Sequence, residues 1–154
     1  MPITEFQNEI LRTIAANRSP ESYLAGATVL HSSTSSPRFS QDLDFFHDLE
    51  ESIAVSAETD AQTLRSSGFG LEWILRTPAF FRALVSREEK SIRIEWAQDS
   101  AFRFFPVQED AVCGYRLHEA DAAVNKMLAF LALLTTFILV NILPKLASVL
   151  HSYA

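Results

Sequence analysis

The chain has 154 residues, 48% of them hydrophobic, enough to bury one ordinary core, and common domain sizes give no reason to expect a second. Nineteen acidic residues against 13 basic ones leave a net charge of −6, which excludes a broad surface that coats phosphate backbone. DNA is therefore not an expected partner, and an RNA partner needs a local basic patch. The single cysteine, Cys113, excludes an internal disulfide and reads as a buried thiol. Met1–Ala16 is mixed, with Glu5, Glu9 and Arg12, and does not read as a signal peptide, so a cytoplasmic location is expected.

The first element is an amphipathic helix. Phe6, Ile10, Leu11 and Ile14 recur at helical spacing behind Thr4, a suitable N-cap. Asn17-Arg18-Ser19-Pro20 ends it. Tyr23-Leu24-Ala25 then runs into Gly26 as a short strand and tight turn, with a short helix to follow. The polar stretch Ser32–Pro37 is a loop, and Gln41–Phe46 alternates polar and apolar side chains as a strand does. Asp48–Ser66 is expected to be helical and to stop at Ser66-Ser67-Gly68. Gly70–Arg76, Phe80–Ser86 and Ser91–Trp96, rich in β-branched and aromatic residues, read as an antiparallel meander. Phe102–Pro106 and Gly114–His118 are expected as short strands. Glu119–Ala132 is a helix with acids in its first turn, which suits the helix dipole. The fold class that results is α+β, one mixed sheet with flanking helices. Beyond Lys126 the only charged residue is Lys145, and Met127–Leu143 forms an apolar C-terminal helix. Its 17 residues stand between a buried helix and a membrane span, which needs roughly 20.

The chemistry concentrates at Asp42-Leu43-Asp44. Residues two apart on a strand share a face, so both carboxylates project together while Leu43 and Phe45 enter the core. Two like charges side by side invite a hard divalent cation such as Mg²⁺ or Mn²⁺, which takes oxygen ligands and bridges to phosphates. A bare D-x-D more often marks a solvated strand face. Upstream, the backbone N–H groups of Ala27 and Thr28 after Gly26 open a helix, a place that receives phosphate. Between the two features, Arg38 and Ser40 offer a cation and a hydroxyl, although Arg38 could equally form a surface ion pair.

In order, Leu24-Ala25-Gly26-Ala27-Thr28 and Arg38-Phe39-Ser40-Gln41-Asp42-Leu43-Asp44-Phe45-Phe46 resemble the opening signature of nucleotidyltransferases of the AbiEii/AbiGii toxin family. The resemblance implies the polymerase-β-like nucleotidyltransferase fold. It also implies that Gly26, Ala27, Thr28, Arg38 and Ser40 take the triphosphate, and that Asp42 and Asp44 take Mg²⁺. Ala27 departs from the glycine or serine usual there. A third acid is implied on a neighbouring strand, where Glu95 is the choice and Asp99 the runner-up; the alternative for Glu95 is a cross-strand pair with a basic residue. Leu117–Ala129 is similar to the family's lysine-bearing helix, and Lys126 is implied as a contact to substrate phosphate.

The resemblance covers roughly residues 3 to 130. This gives a nucleotidyltransferase-like domain over 1–130 and an atypical apolar tail over 131–154, read as a truncated or frame-shifted region where the family has an R-D-x-x-D helix. The implied activity is transfer of a nucleotidyl group from a nucleoside triphosphate to a hydroxyl, on tRNA as one acceptor class, with a cognate antitoxin as protein partner. The alternative function is an inactive remnant that only binds nucleotide or a partner. Membrane contact through 127–143 is the lesser expectation.

Overall fold

The computed structural model describes residues 3–30, 42–99 and 102–144, which divide into two compact units, Met1–Ala122 and Ala123–Ala154. The first unit opens with helix α1 (Glu5–Ile14). Its start is fixed by a reciprocal cap in which the Gln7 N–H donates to Thr4 Oγ1 at 3.2 Å and the Thr4 N–H donates to Gln7 Oε1 at 2.8 Å. A 3₁₀ turn, Ala15–Asn17, leads to strand β1 (Ser22–Ala25) and the one-turn helix α2 (Gly26–Leu30). Strand β2 (Asp42–His47) and helix α3 (Glu50–Ser66) follow. The meander comes next as β3 (Gly70–Thr77), β4 (Phe80–Arg87) and β5 (Lys90–Gln98), joined by two-residue turns at Pro78-Ala79 and Glu88-Glu89. Two short strands, β6 (Gln108–Asp110) and β7 (Gly114–Arg116), precede helix α4 (Glu119–Phe137).

Seven strands form one mixed sheet in the order β3-β4-β5-β2-β1-β7-β6. The β2–β5 and β1–β7 pairs are parallel and the others antiparallel. Period-two alternation sorts the central strands into two faces. Leu43, Phe45 and His47 of β2, Ile92, Ile94 and Trp96 of β5, and Phe81, Ala83 and Val85 of β4 are buried against Ile10, Leu11 and Ile14 of α1 and Ile53, Ala57 and Leu64 of α3. The opposite face carries Asp42, Asp44, Arg93, Glu95 and Arg82.

The expected strand over Phe102–Pro106 is not formed; the strand here is Gln108–Asp110 instead. The reason lies outside the segment. Arg103 is drawn to Asp48, at 2.6 Å from each carboxylate oxygen, while the Phe104 and Phe105 N–H groups donate to the two Asp121 oxygens at 2.8 and 3.0 Å. Backbone donors spent on a carboxylate cannot enter a ladder. Cys113 is buried, as read from the sequence, and burial pushes its thiol up to about 12, which keeps it protonated.

Within the core, one polar cluster ties the helical layer to the sheet. Arg18 and Asp60 are both wholly buried, with Arg18 Nη2 at 2.5 Å from each Asp60 oxygen; Asn17 Nδ2 and Trp96 Nε1 also donate to Asp60, at 2.9 and 2.7 Å. Arg18 Nη1 donates to Ser22 Oγ at 3.1 Å, and Ser22 Oγ stands 3.0 Å from His47 Nε2. Ser22 Oγ, which accepts from Arg18, thus links the guanidinium to the imidazole. Burial first, then the Arg18 guanidinium, pushes His47 down to about 4. Between 4 and the ordinary 6.5 the unfolded chain binds a proton that the folded one refuses. Stability from this group is therefore complete above pH 6.5 and is lost as pH falls toward 4, by about 2–3 kcal/mol between pH 7.5 and 4.5. Urea unfolding of wild type and His47→Gln at those two pH values checks this: the acid-side loss should be smaller by that amount in the variant, and an equal loss contradicts it.

The second unit is helical. The helix continues from α4 through a π-helical segment, Ile138–Ile142, and Met127, Leu128, Phe130, Leu131, Leu133 and Leu134 are among its exposed side chains. Glu119–Ile142, 24 residues of mean hydropathy 2.0 over its most apolar window, is long and apolar enough to cross a membrane.

Candidate nucleotide and metal site

The site is built on β1, β2 and β5, the centre of the sheet. In β2 the residues alternate half-buried and buried from Asp42 to His47, so Asp42 and Asp44 share the face opposite the core. The parallel register with β5 sets Asp44 beside Glu95 and Asp42 beside Arg93; the antiparallel register with β1 sets Asp44 beside Ala25. Residues paired across neighbouring strands lie on the same face. Asp42, Asp44 and Glu95 therefore project from one patch, and Gly26 follows Ala25 at its edge.

Gly26 is fitted to Asp44. Its φ of +67° lies in the left-handed region, and a Cβ built there would stand 1.8 Å from Asp44 Oδ2 and 2.7 Å from its Cγ. Only a residue without a side chain lets the chain turn into α2 against this carboxylate. The Thr28 hydroxyl donates to the Asp42 carbonyl at 2.9 Å, so this buried side chain fastens α2 to β2.

Two arginines share the patch. Arg93 forks onto Asp42, Nε to Oδ1 at 2.7 Å and Nη2 to Oδ2 at 2.9 Å, and Arg82 Nε donates to Glu95 Oε1 at 2.8 Å. The cross-strand alternative for Glu95 is thus realised, with Arg82 as its partner through the β4–β5 register. Among the described residues no group of three or more His, Cys, Asp or Glu side chains is gathered tightly enough to hold a metal ion. Asp42, Asp44 and Glu95 put hard oxygen donors on one face, but Asp42 and Glu95 are paired with arginines and the space beside Gly26 is filled by the Asp44 carboxylate. Asp99, the runner-up, lies past β5 and stands 3.5 Å from the Tyr23 hydroxyl, a member of the Asp48–Arg103 cluster.

The site residues expected from sequence are therefore distributed as follows. Gly26, Ala27, Thr28, Asp42, Asp44 and Glu95 come together at the sheet centre. Arg38 and Ser40 lie outside the described residues, and Lys126 is exposed on α4 within the second unit. Sequence reasoning passed over Arg93 and Arg82. Arg93 carried a signal, since it precedes Glu95 by two residues and must share its face; Arg82 becomes visible only through the strand register.

No family model matches this sequence, and no curated protein matches it. Solved structures do resemble the fold. A candidate nucleotidyltransferase from H. pylori has a TM-score of 0.55 at 20% identity, over 80% of this chain and 59% of that one. JHP933 from Helicobacter pylori has 0.54 at 19%, over 76% and 51%. MenT4, a nucleotidyltransferase toxin of Mycobacterium tuberculosis H37Rv, has 0.52 at 20%, over 79% and 50%. The chain thus spans between half and three-fifths of the length of each of these structures. At this level of identity the likeness shows the fold alone: this chain shares the fold of these three structures.

Proposed function

We propose that this chain is the nucleotide-binding part of an AbiEii-type toxin nucleotidyltransferase, which transfers a nucleotidyl group from a nucleoside triphosphate to a hydroxyl, with tRNA as one acceptor class and a cognate antitoxin as protein partner. The observation that supports it best is the close approach of Gly26 to Asp44 beside the Asp44–Glu95 register, which brings the glycine turn and the carboxylates together. Asp42, Asp44 and Glu95 would hold Mg²⁺ or Mn²⁺, which supplies positive charge to the phosphates and lowers the barrier for attack. Gly26, Ala27 and Thr28 orient the triphosphate through backbone N–H groups, with Arg38 and Ser40 completing the cradle. For Lys126 the family resemblance implies a point charge on the leaving phosphates. The acceptor oxygen bonds to the α-phosphorus as the bond to the β-bridging oxygen breaks, pyrophosphate departs, and the hydroxyl proton passes to Glu95. Domain limits of 1–130 and 131–154, a cytoplasmic location, and a subordinate membrane contact through 127–143 belong to the same proposal.

A second reading, a protein that binds nucleotide without turnover, is favoured by Ala27 and by the pairing of Asp42 and Glu95 with arginines. Incubation with each α-labelled triphosphate, Mg²⁺ and total tRNA separates the two. Label on tRNA that disappears in Asp44→Asn supports transfer, whereas binding of triphosphate with no label on any acceptor supports the second reading.

A further inference from the structure

Every residue from Lys126 to Pro144 is exposed, although the only polar side chains between Met127 and Leu143 are Thr135, Thr136 and Asn141. No polar stripe runs along this helix. Met127 to Leu134 are apolar without interruption, more than two full turns, so apolar side chains cover the whole circumference. A helix made for a groove on another protein keeps one face for water, whereas a helix apolar all round matches surroundings that are apolar on every side. The three polar side chains are closed off within the helix itself. Thr135 Oγ1 donates to the Leu131 carbonyl and Thr136 Oγ1 to the Ala132 carbonyl, both at 2.9 Å, and Asn141 Nδ2 donates to the Phe137 carbonyl at 3.1 Å. Hydrocarbon offers polar groups no partner, and the donors of these side chains already have one. Length agrees as well. The 24 residues Glu119–Ile142 extend about 36 Å, against a hydrocarbon core of about 30 Å.

A second observation stands at the start of the helix, within the first unit. Asp121, in the first turn of α4, accepts from the Phe104 and Phe105 N–H groups at 2.8 and 3.0 Å, and the Phe105 ring stacks on His118 at 4.2 Å. This fastens an aromatic strap to the base of the helix. Phe102 and Phe104 meet edge to face there, 72% and 62% exposed. Asp121 precedes Met127 by about 9 Å of helix, the depth at which a spanning helix passes through the headgroups and where aromatic rings anchor.

We propose that α4 crosses a lipid bilayer, a full span rather than a surface contact, with Phe102 and Phe104 resting in the headgroup interface where it enters. The first unit stays in water, and the span does not depend on the chemistry of the carboxylate patch.

The test is cell-free synthesis of the full chain with phosphatidylcholine–phosphatidylglycerol vesicles, followed by flotation and an alkaline carbonate wash. Wild type should float and resist the wash. Leu134→Arg plus Ile138→Arg should lower the resistant fraction on the order of 10-fold or more, since charges at the centre of a span are costly. The core of the first unit draws on no residue beyond Ala122, so a urea midpoint shows whether the variant is folded. In vesicles, Phe104→Trp should be quenched by a lipid with a nitroxide headgroup, well beyond wild type, whose Trp96 is buried and whose Trp73 packs against it. Wild type that stays at the bottom of the gradient, or that carbonate releases, overturns the span. So does a water-soluble oligomer, in which a second copy covers the helix, and absence of added quenching overturns the placement of Phe104.

Discussion

Replacing Gly26 by alanine is expected to destabilise the protein by about 2–5 kcal/mol and to abolish measurable Mg²⁺-dependent triphosphate binding. Two costs combine. A non-glycine residue at φ +67° costs about 1–2 kcal/mol, and forcing a methyl group into an occupied volume costs about 1–3 kcal/mol. The occupied volume is the Asp44 carboxyl itself, 1.8 Å from the added carbon, so the substitution must move either the Gly26 turn or the carboxylate. A double-mutant cycle isolates the contact. Asp44→Ala clears the space, and Gly26→Ala with Asp44→Ala should recover the packing part of the loss, leaving only the backbone part. If urea unfolding shows the two substitutions to be additive, Gly26 and Asp44 do not meet as described.

Asp60→Ala should cost about 3–5 kcal/mol, because it leaves the Arg18 charge buried without its counter-ion. Whole domains are commonly stable by only about 5–15 kcal/mol, so the variant is expected near the edge of folding. The loss reaches further than one pair. Asp60 also accepts from Asn17 and from Trp96, and so joins the turn after α1, α3 and β5, whose opposite face carries Glu95. Asp60→Asn, which keeps acceptor capacity without the charge, should cost less than the alanine variant and supplies a measurable protein if the latter does not accumulate. A urea-derived loss below about 1 kcal/mol for Asp60→Ala would show that the cluster contributes little.

What could be read from the sequence was mostly local. The Thr4 cap, the glycine stop at Gly26, and the alternation that separates Asp42 and Asp44 from Leu43 and Phe45 each depend on neighbours a few residues away, and each stands in the structure. The meander was legible because β-branched and aromatic runs were bounded by turn residues. The missing strand at Phe102–Pro106 had the opposite cause, since Asp48 and Asp121, remote in sequence, claim its arginine and its backbone donors. The partners of the carboxylates were hidden for the same reason. Nothing near Glu95 announces Arg82, and although the spacing puts Arg93 on the face of Glu95, its pairing with Asp42 appears only with the register of β2 and β5. Composition did foretell the apolar helix beyond Lys126, whose side chains from Met127 to Leu143 include many that are exposed.

The central claim is that Asp42 and Asp44 form a cation-dependent triphosphate site beside Gly26. It is tested most directly by equilibrium binding of triphosphate with and without Mg²⁺, in wild type and in the Asp42→Asn plus Asp44→Asn variant. Binding that requires Mg²⁺ in wild type and is lost in the variant is the predicted result; equal binding by the two proteins, whatever the cation, would contradict it.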